Sequence, residues 1–258
     1  MKKRIDQLLV ERGLAESRNQ AQALVLAGNV LVNEQKVEKP GQGVSADADI
    51  RILEKLPYAS RAGIKLEAAL DHFGIRVEGR ICADLGASTG GFTDCLLQRG
   101  AREVHAFDVG RNLLAWKLQT DPRVVAHDGF NVRNISAKDL PAGVTLVTGD
   151  LSFISLNKIL PALKQALIRP GGSERTQADI ELILLVKPQF EVGKGEVGKG
   201  GIVRDPRKRL DALRSVEEFA RSVGFRKLGS IPSPLAGAKG NEEFLLYLGL
   251  SADLSSTS

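Results

Sequence analysis

The chain has 258 residues, of which 43% are hydrophobic and 26% are charged, and its formal net charge is +5. This length allows one large domain, or an ordinary domain with a small one, each with a real core. No apolar run approaches the roughly 20 residues that span a bilayer, and the amphipathic N-terminus does not resemble a signal peptide. We therefore expect a cytoplasmic protein without a membrane partner. The basic charge is compatible with nucleic acid but does not establish it.

The cysteines and histidines predict neither a disulfide framework nor a metal site. Cys82 falls in a predicted strand and Cys95 in a predicted helix, without the spacing of metal ligands. His72, His105 and His127 share no spacing either. We expect both thiols to lie in the core and no metal to bind.

Residues 1–56 have the pattern of a small α+β domain. Apolar residues at helical spacing predict a helix around 5–9, and a turn at 13–15 separates it from a second helix at 18–27. Alternating residues then predict three short strands. These strands lie at 30–32, near 37 and at 50–53.

Residues 57–250 form a second predicted domain, in which apolar strand-like runs alternate with stretches of helical period. This alternation is typical of a parallel sheet covered by helices on both faces. The last two runs are separated by a loop too short for a helix, so the final strand should be antiparallel to its neighbour. The predicted class is α/β, with the seven-stranded Rossmann-like sheet of S-adenosylmethionine methyltransferases. Residues 171–179 should form a polar loop and 251–258 a flexible tail.

A glycine-rich turn follows the first strand of this sheet. Glycines here allow backbone to pass close to a ligand, and the next helix offers unpaired N–H groups. Asp108 ends the next strand about twenty residues later, where doubly wound folds hold ribose hydroxyls. An NAD site would need a G-x-G-x-x-G motif, which is missing. The candidate cofactor contacts in the turn are Asp84, Gly86, Ala87, Ser88, Thr89, Gly90, Gly91 and Phe92.

The N-terminal domain resembles the S-four RNA-binding domain. This resemblance implies RNA binding, with Arg4, Arg12 and Arg18 facing phosphates and Ser17 capping the second helix. Composition alone favours a solvated helical face, because residues 1–56 hold nine basic and eight acidic side chains. The matching residues are Arg4, Asp6, Leu8, Gly13, Leu14, Ala15, Ser17, Arg18, Ala21, Gly28, Val30, Val32, Asn33, Val37, Lys39, Pro40 and Gly41.

The second domain resembles the ribose 2′-O-methyltransferases of the FtsJ type, and the two-domain whole resembles the TlyA family, often labelled haemolysin A. The resemblance implies S-adenosylmethionine as cofactor and ribosomal RNA, methylated at a cytidine, as substrate. Two segments depart from the family pattern: Arg111-Asn112, and AHDGFN at 126–131. The matching segments are SRAGIKL at 60–66, DLGASTGGF at 84–92, DVG at 108–110, DLSFISL at 150–156, LVKPQFE at 185–191 and GNEEF at 240–244.

The same resemblance places the family's Lys-Asp-Lys-Glu tetrad on Lys65, Asp150, Lys187 and Glu243. The carboxyl ends of parallel strands share one edge of an open sheet, and a reversed last strand begins there, so these residues should converge. Lys187 is the expected base, with Lys65 as the nearby cation that favours a neutral amine. Asp150 and Glu243 should hold the ammonium groups and bind the ribose. The alternative is a buried ion-pair network without a catalytic role.

Three acids and one loop complete the predicted contacts. Backbone at 86–90 should contact the methionine end of the cofactor and Asp84 its amino group, although Asp84 could instead cap the loop. Asp108 should bind the ribose, and Asp128 the adenine edge.

Residues 193–201 are predicted to be a mobile loop beside Lys187 that closes over RNA, with contacts from Lys194, Lys199 and Arg204. The alternative is a flexible linker followed by an exposed helix face. Trp116, the only tryptophan, falls in an apolar helical segment and is expected to pack rather than to stack on a base.

The sequence therefore predicts an S-adenosylmethionine-dependent rRNA (cytidine-2′-O)-methyltransferase whose N-terminal domain supplies RNA affinity. One alternative is an RNA-binding or ribosome-assembly factor without turnover, against which the intact tetrad argues. The other is a membrane-lysing haemolysin, for which no segment is apolar enough to insert. The oligomeric state is left open.

Overall fold

The computed structural model describes residues 2–26, 29–52, 56–168, 180–193, 195–198, 200–237 and 240–250. Its contacts divide the chain into two compact units, Met1–Leu56 and Pro57–Ser258. The polar loop predicted at 171–179 and the tail predicted at 251–258 lie outside the described residues. Within the described ranges, no helix is both long enough and apolar enough to cross a bilayer.

The first unit combines two helices with short strands. Strands β1 and β4 pair antiparallel, and β2 pairs antiparallel with both β3 and β5. Both helices lie where the apolar spacing predicts them, but β1 and β4 are not predicted, because their sequences, KKR and GVS, contain one apolar side chain between them. The described elements are β1 (Lys2–Arg4), α1 (Ile5–Glu11), α2 (Arg18–Leu26), β2 (Val30–Val32), β3 (Gln35–Lys36), β4 (Gly43–Ser45) and β5 (Ile50–Ile52).

The second unit alternates strands and helices along the chain. Each of the seven predicted apolar runs coincides with one of its strands, which confirms the α/β class. Its described elements are α3 (Ala62–Phe73), β6 (Ile81–Leu85), α4 (Gly91–Gln98), β7 (Glu103–Asp108), α5 (Trp116–Gln119), β8 (Val124–Asp128), β9 (Val144–Gly149), α6 (Leu160–Leu167), β10 (Glu181–Val186), α7 (Pro188–Glu191), α8 (Pro206–Ser222), β11 (Phe225–Pro232) and β12 (Phe244–Leu250).

These strands form one seven-stranded sheet in the order β11-β12-β10-β9-β6-β7-β8. From β10 to β8 every neighbouring pair is parallel. The last strand, β12, is antiparallel to both β10 and β11, which confirms the predicted reversal. The carboxyl ends of β6 to β10 and the start of β12 therefore share one edge of the sheet, where doubly wound folds bind ligands.

The sheet has an apolar cluster on each face, because its central strands are hydrophobic on both sides. On one face, helices α6 and α8 pack on alternate strand residues such as Leu85 and Val147. On the other face, α3 and α4 pack on residues such as Cys82 and Leu146. Cys82 and Cys95 are free and buried, as expected of core thiols. Burial on both faces is typical of a parallel sheet.

Gly63 allows α3 to pack closely against the segment that precedes it. A Cβ at this position would lie 2.4 Å from the Cβ and Cγ atoms of Tyr58. Tyr58 is itself buried, and its hydroxyl donates a hydrogen bond of 2.6 Å to Glu67 Oε1. A side chain at residue 63 would thus displace a large, anchored ring.

We expect Gly63→Ala to lower the free energy of unfolding by about 1–3 kcal/mol, because the new methyl group overpacks this contact. Chemical denaturation of the intact chain measures the change. Tyr58→Ala removes the clashing ring, so the double variant should lose less than the sum of the two single losses. Additive losses would contradict the proposed clash.

Candidate active site

The glycine turn after β6 is shaped by close contacts as well as by backbone conformation. Gly86 and Gly90 have φ values of 80° and 90°, in the left-handed region that favours glycine. A Cβ at Gly90 would lie 2.2 Å from Leu118 Cδ1, and one at Gly91 would lie 2.2 Å from Ser60 Oγ. The turn can therefore run close to α5 and to the start of α3 only without side chains at these positions.

Two adjoining cavities open along this turn. The larger has a volume of about 570 Å³ and extends over the ends of β7 and β9, lined by Asp108, Phe130 and Leu151 among others. The smaller, of about 260 Å³, is lined by Ser60, Lys187 and the turn residues Gly86, Ala87, Ser88, Thr89 and Phe92. Both cavities include Asp150 and Ser152 in their walls. A ligand in the larger cavity would therefore lie next to Lys187.

The predicted ribose and adenine acids already accept hydrogen bonds from backbone. Asp108 accepts from the N–H of Ser88 at 2.8 Å and of Gly110 at 2.7 Å, one on each oxygen. Asp128 Oδ2 accepts from the N–H of Asn112 at 2.9 Å. Asp108 lines the larger cavity, whereas Asp128 lines neither of the two, and each carboxylate retains lone pairs for further bonds.

Tetrad residues Lys65, Asp150, Lys187 and Glu243 form two lysine–carboxylate pairs. Lys187 Nζ lies 2.6 Å from Asp150 Oδ1, and Lys65 Nζ lies 2.6 Å from Glu243 Oε2. The relative exposures of Lys65, Lys187 and Glu243 are 7%, 8% and 3%. Lys65 donates a charge-assisted hydrogen bond to Glu243, whereas Asp150 Oδ1 is buried at ion-pair distance from Lys187 and accepts no hydrogen bond from the described residues. Each of the two lysines thus has a carboxylate partner of its own.

The two pairs line different parts of the site. Lys187 and Asp150 line the 260 Å³ cavity, whereas Lys65 lines a separate cavity that also includes Ser60 and Ala62. Ser60 and Ala62 also line the first of these cavities, so the two adjoin. Two lysine–carboxylate pairs thus lie on either side of the start of α3.

The neighbouring acids Glu242 and Glu243 have different environments. Glu243 is buried, and Gly237 approaches it so closely that a Cβ there would lie 1.8 Å from Glu243 Oε1. Glu242 is exposed and pairs with Arg209 at 2.9 Å. Of the two, only Glu243 faces Lys65.

Three residues that sequence reasoning did not assign also shape the site, namely Ser152, Phe153 and Glu191. Ser152 Oγ accepts a hydrogen bond of 2.7 Å from Lys187 Nζ. Phe153 is 87% exposed, has a φ of 63° and lies 5.3 Å from the ring of Phe190 between centroids. Ser152 and Phe153 lie inside the matching segment at 150–156, but a motif does not reveal which side chains point into a cavity.

Glu191 joins the loop after β9 to the short helix after β10. Its carboxylate accepts from Ser155 Oγ at 2.6 Å and from the N–H of Leu156 at 2.9 Å. Burial raises the pKa of Glu191 above its usual range, and the two hydrogen bonds oppose that shift. The residue therefore ties the segment that carries Asp150 to the segment that carries Lys187.

In the first unit, the candidate RNA-binding arginines differ in whether their guanidinium groups are available to a ligand. Asp6 is buried and accepts from Arg4 at 2.9 and 3.0 Å and from Arg18 at 3.1 Å, while both arginine side chains remain about half exposed. Ser17 Oγ accepts from the N–H of Gln20 at 3.2 Å, as a helix cap does. Arg12 instead donates to the carbonyls of Ala46 and Ala48, so its guanidinium supports the fold.

In the second unit, Arg204 is exposed just before α8, whose N-cap Asp205 accepts from the N–H of Arg207 at 2.8 Å. Lys194 and Lys199 lie outside the described residues. In the described part of the predicted mobile loop, Gly198 forms an antiparallel bridge with Ile202.

The expectation that Trp116 packs in the core is wrong. This residue starts α5 and is 76% exposed, whereas Leu114 and Leu118 of the same segment are buried. The segment is helical, as its apolar spacing predicts, but a helix of four residues buries only one of its sides.

His105 Nδ1 lies 2.9 Å from His127 Nε2. Over the described ranges, no group of three or more potential ligands could hold a metal ion.

Comparison with known proteins agrees with this architecture. The model of the FtsJ-like methyltransferase family matches residues 58–250, and that of the S4 domain matches residues 3–50. Fold and site together define a methyltransferase of the FtsJ-like class. With the additional S4 domain, and with a TlyA protein that is 44% identical over 97% of this chain, the chain belongs to the TlyA family.

Two curated relatives and one solved structure cover nearly the whole chain. YqxC of Bacillus subtilis, named as a candidate rRNA methyltransferase, is 46% identical over 96% of this chain and 85% of its own. The 16S/23S rRNA (cytidine-2′-O)-methyltransferase TlyA of Mycobacterium tuberculosis is 44% identical over 97% of this chain and 91% of its own. A candidate hemolysin of Streptococcus thermophilus is 42% identical, with a TM-score of 0.71, over 97% of this chain and 89% of its own.

Asp84 is a buried acid rather than a cavity residue. It has no solvent exposure, does not line either of the two cavities, and accepts from Thr93 Oγ1 at 2.7 Å and from Thr148 Oγ1 at 3.1 Å. Burial raises the pKa of Asp84 to about 7. These contacts favour the reading in which it supports the turn over direct contact with a cofactor amino group.

This burial predicts a pH dependence of stability. Between about pH 4 and 7 the native Asp84 keeps a proton that the unfolded chain releases, so its contribution to stability falls as the pH rises and is constant above that range. Between pH 5 and 7 the unfolding free energy of the wild type should fall by about 2–3 kcal/mol relative to that of Asp84→Asn.

Calorimetry or denaturation at several pH values measures the difference. The matched control is Asp121→Asn, because Arg123 lowers the pKa of Asp121, and this carboxylate should be ionised throughout the window in both states. Its difference from wild type should stay flat. A flat difference for Asp84→Asn as well would contradict the proposed protonation.

Proposed function

We propose that this chain transfers a methyl group from S-adenosylmethionine to a ribose 2′-hydroxyl of ribosomal RNA, at a cytidine. The observation that carries the proposal is the Lys187 amine, held by Asp150 and Ser152 in the wall of the small cavity beside the glycine turn. Methylation of a hydroxyl needs a base at this place, next to the methyl donor. The choice of ribose and of cytidine is supported by the relative named for 16S/23S rRNA (cytidine-2′-O)-methylation.

The larger cavity fits the methyl donor in volume and in chemistry. Its wall combines the acid Asp108 and the turn backbone at Gly86 with apolar surface from Leu113, Phe130 and Val132. We propose that the turn binds the methionine end, Asp108 the ribose, and the apolar side chains with Asp128 the adenine. S-adenosylmethionine supplies a methyl group on a positively charged sulfur.

Lys187 is proposed as the base. Ser152 Oγ accepts a hydrogen bond from its amine, and Asp150 Oδ1 lies 2.6 Å away as an ion-pair partner, so the amine is held in the wall of the cavity. The proton moves to Lys187 Nζ, the 2′-oxygen bonds to the methyl carbon, and the carbon–sulfur electron pair remains on sulfur.

Lys65 and Glu243 are proposed to position the ribose from the other side of Ser60. Lys65 donates hydrogen bonds and Glu243 accepts them, so the pair suits a sugar that carries both kinds of group. Isolated burial of such a pair is costly, which favours a functional use over a purely structural one.

Phe153 is proposed to stack on the target base. Its ring is exposed three residues after Asp150, and its left-handed backbone conformation is strained for a residue with a Cβ. Strain of this kind is concentrated at functional sites, and aromatic faces are the usual partners of unstacked RNA bases.

Residues 1–56 are proposed as the RNA-binding domain and 57–250 as the catalytic domain. In the first, Arg4 and Arg18 are the best phosphate contacts, because Asp6 holds both guanidinium groups while leaving them about half exposed. Arg204, with Lys194 and Lys199, is proposed to contact RNA near the catalytic site. A ribosomal substrate also implies the cytoplasm as the place of action.

Lys187→Ala should reduce the rate of methyl transfer to ribosomal RNA at least about 100-fold, because it removes the base. Labelled S-adenosylmethionine with bare rRNA and with ribosomal subunits measures the rate. Cofactor affinity, measured by calorimetry, should change little. Lys158→Ala is the matched control, since Lys158 is an exposed lysine of the same unit. Undiminished transfer by the Lys187 variant would remove that residue as the base, and no transfer by the wild type would favour an assembly factor.

The double variant Arg4→Ala/Arg18→Ala should weaken RNA binding about tenfold and reduce the dependence of the Kd on salt, because fewer phosphates are neutralised. Filter binding at several salt concentrations measures both quantities. Arg51→Ala serves as control, since Arg51 is exposed and paired with Glu34 on the same unit. An RNA affinity equal to that of wild type would contradict the role assigned to the first unit.

A further inference from the structure

Trp116 is held outward on an anchored segment beside the small cavity. Leu114 and Leu118 pack closely around Gly90, and the N–H of Ala115 donates a hydrogen bond of 3.1 Å to the carbonyl of Thr89. Thr89 lines the cavity that contains Lys187. Trp116 therefore directly follows a residue whose backbone is bonded to the cavity wall.

The exposure of Trp116 has no structural benefit to the free chain. The indole is 76% exposed, although tryptophan is on average a highly buried residue. Within the described residues, no ring stacks against it. A large apolar surface that the fold leaves uncovered, next to a functional cavity, indicates a binding contact.

The charges around this surface suit a polyanion. Lys117 follows the tryptophan and is 56% exposed, while its partner Asp94 is buried. Arg61 is exposed and lines the adjoining cavity that includes Lys65. An aromatic face next to lysine and arginine is the usual arrangement of surfaces that bind single-stranded RNA, because every base has a face that can stack.

We propose that Trp116 stacks on an unpaired RNA base that neighbours the methylated nucleotide. This inference rests on the proposed function for the presence of a methylated nucleotide in the site, and it adds a second aromatic contact to that of Phe153. The contact would hold the strand in place while the target ribose reaches Lys187. Its loss should therefore raise the KM for RNA and leave kcat nearly unchanged.

Because the chain has a single tryptophan, its fluorescence reports on this contact directly. Acrylamide quenching is measured on the full chain with S-adenosylhomocysteine present throughout, alone, with bare rRNA, and with ribosomal subunits. Bare rRNA should reduce the quenching constant at least about threefold. The control Trp116→Phe/Leu228→Trp moves the probe to an exposed position on β11 and should show no such protection.

Kinetics provide the second test. Trp116→Leu should raise the KM for RNA about tenfold. Trp116→Phe keeps a flat ring, so its KM should stay close to that of the wild type. Protection of the indole by rRNA without any methyl transfer would overturn the proposed function and the placement beside a methylated nucleotide, and would retain only the stacking of Trp116 on RNA. Methyl transfer without protection, or an unchanged KM in Trp116→Leu, would overturn the inference alone. Protection by ribosomal subunits but not by bare rRNA would overturn the RNA assignment in favour of a protein surface.

Discussion

Two lysine–carboxylate pairs with little solvent contact are the feature on which the account of this protein depends. Charged groups lose hydration energy when they are buried, and each pair recovers it only through a short contact of 2.6 Å. The sheet makes these contacts possible, since parallel strands end at one edge and the reversed β12 begins there. The glycine turn then brings a ligand cavity against the same edge. Fold and chemistry are thus linked by strand direction.

Much of the fold could be predicted because its signals are local and repeated. The seven apolar runs predicted all seven strands of the large sheet. The loop before the last run is too short for a helix, which predicted that β12 is antiparallel to its neighbour. The short strands β1 and β4 could not be predicted, because their pairing joins residues about forty positions apart and leaves almost no local pattern. Strand pairing of this kind is decided by tertiary contacts rather than by propensity.

The candidate site could be predicted as a set of residues but not as an arrangement. Resemblance to a family names Lys65, Asp150, Lys187 and Glu243, yet the division into two pairs and the part of Ser152 appear only in the structure. Asp84 and Trp116 show the same limit from opposite directions. An acid at a strand end was expected near a ligand and is buried, whereas an apolar residue expected in the core is exposed. Neither outcome can be read from residue type, because burial depends on what the neighbouring elements cover.

The central claim is that the base at Lys187 acts on a sugar hydroxyl and not on a nucleobase. Nucleoside mass spectrometry of rRNA methylated by the purified protein tests it most directly, since fragmentation separates the mass of the base from that of the ribose. The account predicts that the added methyl group stays with the ribose of a cytidine. A methyl group found on the base would contradict the account, even if the reaction required Lys187.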